Sequence, residues 1–166
     1  MFSFYKKHNN KLYNKLSDLS RNKFLYEEIK LADNFETRIL LIFFHLSIIL
    51  KIAKGTGSNK KTQDIYDNIF QNIEYHIREL GYGDVSVNKN MKNMNKIFYD
   101  ILYSLDKETS NTNISKKLLE KYFNPKNNSS DVKISKLADY LVKFQNFCFD
   151  LDVNIMLNGS IDFKYR

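Results

Sequence analysis

The chain has 166 residues, of which 43% are hydrophobic and 27% charged, with a net charge of +7. That is one ordinary domain, long enough to bury a core without disulfides or metals, and too hydrophobic for intrinsic disorder. A single Pro and five Gly are too few turn formers for an all-β sandwich, so the composition points to long helices.

The first thirty residues carry seven basic and three acidic side chains, a net +4, and form a basic N-terminal arm. Residues 31–80 and 131–166 each balance to zero, so residues 81–130 hold the remaining excess. An anionic partner is therefore expected at the arm or in the middle of the chain. No signal peptide is expected at the polar N-terminus. The longest apolar run, residues 39–50, contains His45 and is too short to span a bilayer. Together these features predict a cytoplasmic protein without a transmembrane span.

In chain order, Leu12, Leu16 and Leu19 predict an amphipathic helix over residues 7–19, followed by a less regular stretch over 21–31. Asp33 and Glu36 have the spacing of a capping box, which predicts a helix from there to about Ala53. It is apolar on nearly every side and should be the central helix. Gly55 and Gly57 break it. The next helix, residues 62–80, presents Ile65, Ile69, Ile73 and Ile77 on one face, with Glu74 and Arg78 spaced to pair on the surface. Gly81 suits a left-handed C-cap, Gly83 shapes the turn, and Ser86 is the expected N-cap of the helix that follows. On that helix Val87, Met91, Met94, Phe98, Ile101, Leu102 and Leu105 form an apolar stripe, and Lys89, Lys92 and Lys96 stack on the opposite face. A short helix around Leu118 and Leu119 closes at Asn124-Pro125, and a polar loop occupies residues 126–130. Ile134, Leu137, Leu141, Phe144, Cys148 and Leu151 mark the last helix. The tail from Val153 to Tyr165, around Asn158-Gly159, reads as a small hairpin or an irregular strap. The expected fold is an all-α, single-domain bundle of about six helices over residues 1–166.

No constellation of residues signals catalysis. His8, His45 and His76 form no metal-ligand spacing. His45 reads as a hydrogen-bonded core histidine and His76 as half-buried. Cys148, the sole cysteine, holds a core position, where a thiol behaves as a small apolar group. Gly81-x-Gly83 follows a helix rather than a strand, lacks a third glycine and sets Asp84 where an anion would be repelled, which excludes a phosphate loop. The lysine stripe has two readings, a solvated face or a docking surface for rRNA or anionic lipid headgroups. Tyr82, Tyr99 and Tyr103 could stack on bases if exposed.

Several stretches carry a resemblance. They are Asp33-Asn-Phe-Glu-Thr-Arg38 leading to His45-Leu46, Gln63-Asp-Ile-Tyr-Asp-Asn-Ile-Phe70, Arg78-Glu-Leu-Gly-Tyr-Gly-Asp84, and Val87-Asn-Lys89-Asn-Met91-Lys92 with Phe98-Tyr99. A weaker echo lies at Gly159-Ser-Ile-Asp-Phe163, where Lys164 replaces an expected proline. This series resembles the ubiquinol–cytochrome c chaperone family, with its core at residues 33–105. The resemblance implies a non-enzymatic helical chaperone without cofactors or metals, which holds newly made cytochrome b and assists assembly of the cytochrome bc1 complex. It also implies a small partner subunit and ribosome docking, as in mitochondrial relatives, and a place in the cytoplasm or peripheral at the inner membrane. The expected partner contacts are Tyr82, Asp84, Lys89, Met91, Lys92 and Lys96, on a framework of Asp33, Arg38, His45, Gly81, Gly83 and Ser86. Asp33, Arg38 and His45 have two readings, functional residues or a buried polar set that fixes helix packing. The rival reading is a basic helical module that binds nucleic acid or ribosomes, without sequence specificity, through the same lysines.

Overall fold

The computed structural model describes residues 10–107, 114–124, 126 and 131–165. His8, the first nine residues of the basic arm, Pro125 and residues 127–130 of the expected polar loop lie outside these. Among the described residues every regular element is a helix: α1 (Lys11–Ser20), α2 (Lys23–Glu27), α3 (Phe35–Gly55), α4 (Asn59–Glu79), α5 (Asp84–Asp106), α6 (Lys116–Phe123), α7 (Asp131–Phe149) and α8 (Val153–Leu157). The six longer helices are those expected from the periodicity of the sequence. The two short ones are corrections. Asn22 caps one extra turn in the stretch read as irregular, and Asp152 caps another in the tail read as a hairpin or strap.

Helix α3 is the axis of the fold. Thirteen of its 21 residues are buried, because helices pack on it from several directions and its apolar residues leave no solvent face. Phe43 stacks on Phe70 of α4 and meets Phe98 of α5 edge-on, each at 5.5 Å between ring centres. Phe44 reaches Phe123 of α6 at 5.5 Å. Burying each such ring contributes roughly 1.5–3 kcal/mol, so this aromatic cluster locks α4 and α5 to the axis. On the other side α3 meets α7 through His45 and Tyr140. Beyond α8 the chain runs without regular structure over α7, where Phe163 packs on Tyr140, Phe144 and Phe147.

Two caps sit elsewhere than the sequence motifs suggest. Asn34, not Asp33, is the N-cap of α3, and its Oδ1 accepts the Thr37 N–H at 2.9 Å. Asp33 instead holds the Arg38 guanidinium at 2.6 Å. Both residues have the short oxygen side chain a cap requires, and the extended backbone of Asn34 decides between them. Likewise Gly83, not Ser86, precedes α5, whose first residue is Asp84; Ser86 lies within the first turn. An acidic side chain at that position suits the positive end of the helix dipole. Gly81 adopts φ 94°, the left-handed conformation expected where α4 ends.

Candidate functional site

The buried polar set read for Asp33, Arg38 and His45 is divided. Asp33 and Arg38 pair at the surface, with 59% and 40% of their side chains exposed. His45 lies two turns further along α3 and is fully buried. Its Nδ1 donates to the Leu41 carbonyl at 2.6 Å, which leaves Nε2 to accept from the Tyr140 hydroxyl at 2.9 Å. Burial lowers its pKa to about 4, opposed by the bond to Leu41. His45 is therefore neutral and structural. Cys148 is buried as well, and burial raises its thiol pKa to about 12, which removes the thiolate a nucleophile would need. His76 is half-buried against Phe35, 5.4 Å between rings. No cluster of metal-ligating side chains occurs among the described residues, and no described helix is long and apolar enough to cross a membrane.

The turn between α4 and α5 carries a polar knot. Arg78 holds Glu74 at 3.0 Å and also donates to the Asp84 carboxylate. Asp84 thus ties the start of α5 to the end of α4. Beside it Leu80, Tyr82 and Val85 are exposed, Val85 to 85%.

Helix α5 sorts its side chains onto two faces. Val87, Phe98, Ile101 and Leu105 are buried, and Met91 and Met94 are half-buried against the core. Lys89, Lys92 and Lys96 are exposed on the other side. In register with them stand Val85, Tyr99 and Tyr103, and Lys107 continues the row just past the end of the helix. The steps of three and four residues keep all seven on one line. Of the expected contacts, Tyr82 and the three lysines therefore face outward, Asp84 is exposed but paired, and Met91 points to the core.

A groove of about 350 Å³ lies between α3, α4 and α5. Leu50, Tyr66, Phe98, Tyr99 and Leu102 form its apolar walls, and Lys54 bridges its rim to Asp106 at 2.7 Å. Tyr66 is anchored there by a hydrogen bond to Asn95. A groove between helices is what the family resemblance implies, but the residues that line it were not legible in the sequence. Tyr66 and Tyr99 lie on different helices, and only the packing of α4 against α5 brings their rings within 5.7 Å.

Comparison with known proteins now bears on this geometry. The family model described as ubiquinol-cytochrome C chaperone matches residues 27–163. The solved structure of the Cbp3 homolog from Brucella abortus superposes with a TM-score of 0.73 at 20% sequence identity, covering 93% of this chain and 87% of that one. At that identity the likeness is one of fold. No curated protein matches by sequence.

Proposed function

This chain belongs to the ubiquinol–cytochrome c chaperone family, and we propose that it binds newly made cytochrome b without catalysing a reaction and so assists assembly of the cytochrome bc1 complex. The family match over residues 27–163 carries the reading. The groove between α3, α4 and α5 supports it, because an unassembled membrane subunit exposes apolar helices and such a helix lays its apolar side into a groove of this kind. Tyr99 and Leu102 line the part of the groove that the client's side chains would meet. Tyr82, Asp84, Lys89, Lys92 and Lys96, on α5 and the turn before it, are the partner-facing part of the chain in this proposal. Met91 contributes from the core side, where an unbranched thioether adapts to varied apolar neighbours.

The test is crosslinking in the native cells followed by affinity capture and mass spectrometry. Cytochrome b is expected to be enriched over other abundant membrane proteins. Leu102→Asp should reduce that enrichment by about tenfold or more, since burying one leucine contributes roughly 1.5–3 kcal/mol. A circular dichroism melt checks that the variant folds. Capture without cytochrome b would remove the client from this reading and leave the family assignment intact.

A further inference from the structure

We propose that the outward face of α5 docks the chain on an anionic phospholipid bilayer, with the helix lying flat along the headgroups. The first ground is charge. All three acidic residues of α5 are committed to cations outside it: Asp84 to Arg78, Asp100 to Lys121 at 2.8 Å, and Asp106 to Lys54 at 2.7 Å. Lys89, Lys92, Lys96 and Lys107 have no carboxylate partner among the described residues. A row about 33 Å long, at 1.5 Å per residue, is therefore positive and uncompensated.

The second ground is the kind of anion that such a face fits. The row is straight and stands on a convex helix, which suits a plane of phosphates. Single-stranded RNA is held instead in grooves whose aromatic rings stack on bases. Neither tyrosine of the row offers an unobstructed ring. Lys107 sits over Tyr103 at 4.3 Å, and Tyr99 packs against Tyr66 and Phe98 at 5.7 and 5.9 Å. Half-exposed tyrosines with an apolar body and a polar tip belong at a lipid–water interface. Val85, with Leu80 and Tyr82 beside it, gives the leading end of the row an apolar point to enter the headgroup layer. The groove opens beside Tyr99, so a chain docked this way holds the groove at the membrane surface.

The purified full chain is tested by flotation with vesicles of phosphatidylcholine alone and of phosphatidylcholine with phosphatidylglycerol. Binding is expected only to the anionic vesicles and should weaken as salt rises. Each lysine near such a surface contributes about fivefold, so Lys89→Gln/Lys92→Gln/Lys96→Gln should weaken partition on the order of a hundredfold. A charge-matched control, Lys30→Gln/Lys60→Gln/Lys136→Gln, removes three exposed lysines that lie outside α5 and should weaken it far less. Equal loss in the two triple variants, equal binding to neutral vesicles, or binding to poly(U) RNA with none to the anionic vesicles would each overturn the proposal. No client is present in this assay, so its failure leaves cytochrome b capture untouched, and failure of capture leaves the lipid result standing.

Discussion

The buried pair of His45 and Tyr140 makes stability depend on mildly acidic pH. In the folded chain the imidazole is sealed among Leu41, Tyr140 and Phe144, and its pKa falls from the ordinary 6.5 to about 4. The unfolded chain therefore takes up a proton that the folded chain refuses between about pH 6.5 and 4. Stability is fully present above that window and drops as pH falls through it. From about pH 7 to pH 5 the loss comes to roughly 2 kcal/mol, or about 4–8 °C in Tm for a domain of this size. At pH 7, Tyr140→Phe alone orphans the buried Nε2 and should cost about 1–3 kcal/mol. His45→Leu/Tyr140→Phe removes both partners and should recover much of that cost. Urea unfolding of the three proteins at the two pH values measures every term. If the double variant lost as much stability between pH 7 and 5 as the unmodified chain, His45 would not be the acid-sensitive group and its assignment as a neutral core residue would fail.

Two further predictions concern backbone and packing. Gly81 and Gly159 both have left-handed φ, 94° and 82°, but a Cβ at Gly81 meets open space, whereas one at Gly159 would lie 2.8–2.9 Å from the backbone of Lys11 and Leu12. Gly81→Ala should cost about 1–2 kcal/mol from φ strain alone, and Gly159→Ala measurably more by thermal melting, because the strap must also lift off α1. The buried Ser47 hydroxyl has no hydrogen-bond partner among the described residues. Ser47→Ala should therefore be neutral or raise stability by up to about 1 kcal/mol in urea unfolding.

The helical architecture was legible because apolar residues recur at three- and four-residue steps over long stretches, and that period depends on local geometry alone. The same applies to the outward lysines of α5, whose direction follows from their spacing relative to Val87, Phe98 and Leu105. The caps were less legible. Asp33 and Asn34 are chemically equivalent as caps, and only the backbone path into α3 separates them. The reading of Asp33, Arg38 and His45 as one buried polar set failed because the residues sit at opposite ends of a burial gradient along α3, with the ion pair in water and the imidazole at the axis.

By itself the sequence determined the class of the fold, the central place of α3, the buried state of His45 and Cys148, and the kinship with ubiquinol–cytochrome c chaperones. Each of these rests on local periodicity or on a run of residues read in order. Tertiary structure alone decided that Tyr140, ninety-five residues away, is the partner of His45, that the acidic residues of α5 are spent on cations from other elements, and that Leu50, Tyr66, Phe98 and Leu102 enclose a groove. These features depend on how helices cross, and crossing is set by the interlocking of side chains far apart in the chain.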